Sequence, residues 1–352
     1  MPEQDIIVDR RGSAGLLTLN RPAALNAVNL AMVRALRDAL EGWRHDPGVT
    51  RVVVTAAGGR AFSAGGDLRA IWEAGRDGRH EESLGFWREE YALNAVIRDY
   101  PKPYVALIDG IVMGGGVGVS VHGSHRVAGD RFDFAMPEVG IGFFPDVGAT
   151  WFLPRLAGAA GTFCALTGAR LKADDALATG IATHRVGSAR LAELAEALCR
   201  TDPVDAVLAA FAAPAGGGGT VTAHRGAIDR IFARDSVEDV LAGLDAAAAG
   251  TGEDAEWAAA TAATVRAKAP FSLKIALAQM RFGRAAPFAD CMRAEFRIVS
   301  RVVHGHDFYE GIRAVIIDKD NRPRWRPADL AEVTDDAVAA HFGAIAHELE
   351  LP

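Results

Sequence analysis

Three consecutive glycines, Gly114, Gly115 and Gly116, follow the apolar stretch Ile111-Val-Met113 and restrict the chain more than any other feature. Glycine loses more conformational freedom on folding than any other residue. A run of three between a strand and a small-residue helix therefore marks backbone that must approach something closely. The first N–H groups of a helix lack partners within it, and the helix dipole favours negative charge there. Such a turn can hold a carbonyl oxygen that becomes an oxyanion during attack; it can equally be a tight turn that lets a helix pack closely. Other glycine motifs do not fit. GxGxxG would need glycine where Val119 or Val121 stands, no GxxxxGK[ST] follows, and Ser120 lies in Gly118-Val-Ser-Val-His122 rather than GxSxG.

The surrounding pattern alternates strand and helix. Ile6–Val8 and Gly15–Leu19 read as short strands. Asn29–Trp43 has helical spacing, with apolar residues at Leu30, Val33, Leu36 and Leu40 and Asn29 as N-cap. Val52–Thr55 and Tyr104–Ile108 read as buried strands, Gly58–Gly66 as a loop, and an amphipathic segment starts at Asp67. This α/β character runs to about residue 190. Alanine-rich helical stretches follow at Leu191–Arg200, Val204–Phe211, Ser236–Ala249, Asp254–Lys268 and Ser272–Phe282, interrupted by the low-complexity loop 212–219. Two regions are expected: a catalytic core over 1–190 and a mainly helical region over 191–352.

With 352 residues, half of them hydrophobic, the chain can bury a sizeable core. Its 38 Lys plus Arg against 45 Asp plus Glu include no basic stripe, so nucleic acid is not expected as a partner. Cys164, Cys199 and Cys291 are far apart, which fits a reducing compartment and neither a zinc site nor a disulfide framework. No apolar leader precedes Arg11, and the longest apolar run, Tyr104–Val121, holds Asp109 and five glycines. A cytoplasmic protein that does not enter a membrane is the expectation.

Two further segments carry chemistry. Ala61-Phe-Ser-Ala-Gly-Gly-Asp67 follows a strand and can offer a backbone N–H, at Gly66, with Asp67 capping the next helix. Met136–Asp146 sets Glu138 and Asp146 among Phe143, Phe144 and Met136, where burial raises a carboxyl pKa and suits it to acid, base or nucleophile work. His122 and His125 read as packing or surface residues. His304 and His306 beside Asp307 lack further ligands, so no metal site is expected. Lys274 reads equally as a phosphate contact or a solvated helix face, and Trp325 as an anchor for the C-terminal segment.

Taken together, Leu19-Asn-Arg-Pro22, Leu25-Asn-Ala27, Ala61–Asp67, Lys102-Pro103, Gly110–Gly116 and Pro137-Glu138 resemble the crotonase (enoyl-CoA hydratase/isomerase) superfamily over residues 6–190. The resemblance implies a crotonase-like ββα spiral core and an acyl-CoA substrate whose coenzyme A is part of the substrate, so no separate cofactor. It implies an oxyanion hole from the N–H groups of Gly66 and Gly115, and coenzyme A along Asn26, Ala27, Phe62, Ala64 and Gly65. The superfamily often forms trimers, which leaves a homo-oligomer open here. Hydratases of this kind use two glutamates. The later one matches Glu138; the earlier falls at Gly118, which disfavours hydration. A longer set of matches is similar to the 3-hydroxyisobutyryl-CoA hydrolase branch: Arg88-Glu-Glu-Tyr91, Phe134–Glu138, Gly142–Gly148, Gly305–Phe308, Glu310–Ala314 and Ile317–Asp320. It implies thioester hydrolysis, as in valine catabolism, with Glu90, Gly115, Glu138 and Asp146 at the substrate. Glu138 would either activate water or attack the carbonyl itself. A hydratase or isomerase of the superfamily and a non-catalytic acyl-CoA-binding protein are the alternatives.

Overall fold

The computed structural model describes residues 4–214 and 216–352. Two sheets share the work. A six-stranded sheet runs β1 (Ile6–Arg11), β2 (Ala14–Leu19), β3 (Arg51–Ala56), β5 (Tyr104–Ile108), β7 (His125–Ala128), β9 (His184–Arg185), and a three-stranded sheet runs β4 (Ala61–Ser63), β6 (Ile111–Met113), β8 (Asp133–Ala135). The chain opens with an antiparallel hairpin, β1 (Ile6–Arg11) and β2 (Ala14–Leu19), turning at Gly12-Ser13. Helix α1 (Leu30–Arg44) follows, capped by the Asn29 side chain on Met32 N–H. Three turns of a spiral come next. In each, one strand joins the large sheet and the next joins the small one: β3 (Arg51–Ala56) then β4 (Ala61–Ser63), β5 (Tyr104–Ile108) then β6 (Ile111–Met113), β7 (His125–Ala128) then β8 (Asp133–Ala135). Helices α2 (Leu68–Arg76) and α3 (His80–Arg98) follow β4, and the single-turn α4 (Gly115–Gly118) follows β6. After β8 comes a 3-10 turn, Glu138–Ile141, then α5 (Ala149–Phe152). Strand β9 (His184–Arg185) closes the large sheet.

The period-two pattern of the strands explains why both faces of the large sheet are covered. Val52 and Val54 of β3, with Tyr104, Ala106 and Ile108 of β5, point into the main core. Val53, Val105 and Leu107 point the other way, onto Leu194, Leu198 and Leu208. The main core does not stop at residue 190: it joins Leu17 and Phe144 to Leu273, Phe296, Ile298 and Leu349 in one cluster. Helices Pro270–Gly283 and Phe288–Val302 pack directly on α5, and the latter also on α3.

The spiral matters for what it brings together. Strands β4, β6 and β8 are parallel neighbours. Their C-terminal ends, Ala64–Asp67, Gly114–Gly116 and Met136–Glu138, therefore lie side by side, one from each turn. The expected loop 58–66 contains β4, a strand of three residues that is too short to show a period in sequence. Among the described residues, no helix is long and apolar enough to cross a membrane.

Candidate active site

The first strand end is fixed by the segment before α1. Leu25 and Asn26 both sit in the left-handed region (φ 50° and 56°), an unfavourable state for leucine that asparagine tolerates. Asn26 holds the turn closed: its side chain accepts from Arg21 N–H and donates to the carbonyls of Ala57 and Ala61. The turn then pairs with the Ala64–Asp67 loop, through Ala64 N–H to Leu25 O, Val28 N–H to Gly65 O and Asp67 N–H to Val28 O. Asp67 caps α2 and accepts from Arg21. Gly66 N–H is left without a protein acceptor among the described residues.

The second strand end is the glycine run. Gly114 has φ 45° and ψ −124°, which no other residue adopts comfortably. A Cβ there would lie 3.3 Å from Gly65 Cα and 3.4 Å from Glu138 Oε1, closing the gap between the three strand ends. Gly115 begins α4, so its N–H has no partner within the helix, and none elsewhere among the described residues. A Cβ on Gly115 would sit 2.6 Å from Glu90 Oε1 and 3.4 Å from Gly66 N. Two free amides from two turns of the spiral thus face one small space.

That space is a cavity of about 70 Å³ lined by Gly66, Gly115, Glu90, Glu138, Asp146 and Trp87, among others. Glu90 comes from α3, Glu138 from the turn after β8, and Asp146 from the loop before α5. All three carboxyls are buried. Among the described residues Glu90 Oε1 and Glu138 Oε2 have no hydrogen-bond partner, whereas Asp146 accepts from Tyr91 Oη at 3.0 Å. Burial is the main force on their protons. It drives the Glu90 and Glu138 pKa values well above the usual carboxylate range, and the Asp146 charge adds to both. Burial lifts Asp146 to about 7, against the lowering effect of the Tyr91 bond. Unsatisfied donors and acceptors buried in one cavity are costly unless a ligand completes them.

Gly118, one helical turn from Gly115, is sealed off. A Cβ there would fall 2.8 Å from Asn94 Nδ2 and 2.9 Å from Val147 Cβ. The frame has no room for a second glutamate at that position.

The structure also supplies residues the sequence reading did not single out. Val147 holds φ 51°, a strained state for a β-branched residue. Its carbonyl is bonded by His122 Nε2 at 2.7 Å. The next amides, Gly148 N–H and Thr150 N–H, donate to the two oxygens of Glu295 at 2.7 and 2.8 Å. Gln279 donates to Pro145 O and Thr150 Oγ1. Gln279 lies on helix Pro270–Gly283 and Glu295 on helix Phe288–Val302, and both are fully buried. Burial carries the Glu295 pKa to about 8, although both backbone bonds favour its charged form. The Asp146 loop is therefore clamped by two helices of the C-terminal region, more than a hundred residues on in sequence. No short motif surrounds Glu295; a glutamate on the apolar face of an amphipathic helix is the one available signal.

Of the positions implied for coenzyme A, Ala64 and Gly65 line the cavity. Asn26 and Phe62 are buried in the frame, and Ala27 is half-buried with its carbonyl accepting from Arg21. Lys274 is engaged by Glu238 and Val333 O, and Trp325 donates to Ala267 O. Among the described residues, no group of three or more His, Cys, Asp or Glu side chains is arranged to hold a metal ion.

Comparison with known proteins adds independent findings. Residues 14–342 match the enoyl-CoA hydratase/isomerase family. The chain is 43% identical over 350 residues to the mitochondrial 3-hydroxyisobutyryl-CoA hydrolase of Rattus norvegicus, covering 97% of this chain and 89% of the relative. Identity to the Homo sapiens protein of the same name is 40% over 351 residues, with the same coverage. Among solved structures, a carnitinyl-CoA dehydratase from Mycobacterium thermoresistibile superposes with TM-score 0.92 at 42% identity, covering 99% of both chains. An enoyl-CoA hydratase from Rhodobacter sphaeroides 2.4.1 gives 0.89 at 38%, covering 99% of this chain and all of the other. With the ββα spiral, the paired amides and these matches, the chain belongs to the crotonase, or enoyl-CoA hydratase/isomerase, superfamily, in its 3-hydroxyisobutyryl-CoA hydrolase-like branch.

Proposed function

We propose that the chain hydrolyses acyl-CoA thioesters, converting 3-hydroxyisobutyryl-CoA and water to 3-hydroxyisobutyrate and coenzyme A, a step of valine degradation. The observation that carries the reading is the pairing of free Gly66 and Gly115 amides with the buried, unpartnered Glu138 carboxyl in one cavity, while the Gly118 position leaves no space for the earlier glutamate of the hydratases. The amides hold the thioester oxygen and gain strength as it becomes an oxyanion. Glu138 acts on the carbonyl carbon by one of two routes. As a base it takes a proton from water, whose oxygen bonds to the carbon; as a nucleophile it forms a mixed anhydride that water then opens. Either way the C–S bond breaks, the thiolate takes up a proton and the acid is released. A burst of free thiol ahead of acid release distinguishes the anhydride route. Asp146, held by Tyr91, accepts a hydrogen bond from the substrate's 3-hydroxyl, with Glu90 beside it. A substrate lacking that hydroxyl forgoes this bond, leaving Asp146 with Tyr91 alone, and reacts more slowly.

The second reading is reversible hydration, favoured by the names of the two solved structures above. Thiol release measured over 3-hydroxyisobutyryl-, 3-hydroxypropionyl- and crotonyl-CoA separates the two. Hydrolysis predicts free thiol, fastest with the hydroxylated substrates. Loss or gain of the enoyl absorbance with no thiol would overturn it. Glu138→Gln should lower hydrolysis by at least about a hundredfold, the scale of a lost general base, while calorimetric binding of the thioester persists. The relatives' names place them in mitochondria; a cytoplasmic location for this chain remains a proposal that fractionation of its host cells would test.

A further inference from the structure

A second cavity, of about 390 Å³, opens beside the starts of β5 and β7, between the end of α3 and α5. It shares no lining residue with the candidate active site. Four cationic side chains line it, Arg98, Lys102, Arg126 and Arg155, and no aspartate or glutamate does. None of the four makes an ion pair among the described residues.

Three of them are held by neutral oxygens. Arg126 donates to the carbonyls of Ile181, Gly123 and Gly180 at 2.7, 2.9 and 3.3 Å. Arg155 donates to those of Trp151, Gly283 and Ala286, and Lys102 to those of Trp43 and Asp46. Carbonyls orient a cation without neutralising it. Arg98 has no hydrogen-bond acceptor among the described residues. It stacks on Trp151, with its guanidinium carbon 3.8 Å from the ring centre, and a second ring, Phe288, lies 5.2 Å away. The surplus charge is felt by its neighbours. Burial lowers the Arg98 pKa, and Arg155 adds to that against the exposed Asp99. Burial holds His122 near 4, with Arg98 and Arg126 contributing. A concave, partly desolvated surface of one sign concentrates counter-ions, and arginine forks fit the oxygens of phosphate and carboxylate.

We propose that this cavity is a second ligand site, for a small polyanion whose charge lies on phosphate or carboxylate oxygens. Arg98 and Lys102 reach the ligand from the end of α3 and the segment after it, Arg126 and Arg155 from the opposite wall, and Trp151 offers a ring against which the Arg98 fork is already set.

Titration calorimetry on the full chain tests this with pyrophosphate, inorganic phosphate and citrate, each against sodium chloride of equal ionic strength and in the presence of saturating free coenzyme A. The expected result is saturable binding at one site, tightest for the probe that carries the matching oxygens; preference for pyrophosphate over citrate assigns the phosphate source, and the reverse assigns the carboxylate source. Arg98→Gln should weaken binding about tenfold or more, the scale of one lost charge-assisted bond. Arg155, which is exposed, gives a second variant, Arg155→Gln, should the first not fold. An unchanged Tm would show each variant to be folded. Heats no larger than the chloride control overturn the proposal. So does binding abolished by coenzyme A, which would put the probe in the substrate site, and so does unchanged affinity in both variants. None of these outcomes depends on whether the chain hydrolyses thioesters.

Discussion

A side chain at Gly118 would have to displace Asn94 of α3 and Val147 of the Asp146 loop. Gly118→Ala should therefore cost about 1–3 kcal/mol, as overpacking does, read as a lower Tm. Gly118→Glu should fold worse still and gain no hydration of crotonyl-CoA; appearance of hydratase activity in that variant would contradict the sealed geometry. The carboxyl cluster makes a second prediction. In the proposed reaction Glu138 must be ionised to act, and the Asp146 charge raises its pKa. Removing that charge in Asp146→Asn lowers it, so the acid limb of the kcat/KM–pH profile should move to lower pH. An acid limb that stays put would mean the two carboxyls do not sense each other. At this scale Gly66, Gly115, Glu138 and Asp146 were legible, because each lies in a short motif with unusual glycine content or apolar neighbours. Tyr91 was legible only as part of a motif, since its bond to Asp146 spans 55 residues.

Among the elements, the α5 approach is the most constrained. Val147 in a left-handed state costs on the order of 1–3 kcal/mol, which the bonds from His122, Glu295 and Gln279 offset. Glu295→Gln keeps the shape but presents an amide NH₂ to one of two backbone N–H groups. It should lower stability by about 1–3 kcal/mol and kcat/KM by roughly tenfold to a hundredfold through a displaced Asp146. A variant that loses stability but keeps full kcat/KM at a temperature where it is folded would show the clamp to be structural only. Element legibility followed periodicity. Helix α1 and helix Val204–Phe211 show a clear stripe, and the structure ends them within a residue or two of expectation. Helix α3 is buried on nearly every face from Glu90 to Ile97, so it has no stripe to read. In helix Phe288–Val302, Glu295 breaks the apolar face that would have marked it.

For the whole molecule, one hydrophobic cluster spans residue 190 and ties the spiral to the C-terminal helices. Calorimetry should record a single unfolding transition with calorimetric and van't Hoff enthalpies in agreement. Two resolved transitions would show that the regions 1–190 and 191–352 unfold as separate units. The spiral itself could not be derived from periodicity: β4, β6 and β8 have three residues each, and what aligns them is parallel pairing across segments up to fifty residues apart in sequence. It was reached through resemblance to a known superfamily.

The clamp on the Asp146 loop also sets an order of events during biosynthesis. A chain leaving the ribosome exposes its N-terminal part first and folds it as it emerges. Gly66, Gly115 and Glu138 can come together early, but Gln279 and Glu295 emerge more than a hundred residues later. Until they do, the His122 bond to its carbonyl is the one of these contacts that holds Val147 in its unfavourable turn. A nascent chain therefore carries the two free amides before it carries a fixed Asp146, and on the proposed function it becomes selective for its substrate only once helices Pro270–Gly283 and Phe288–Val302 have docked.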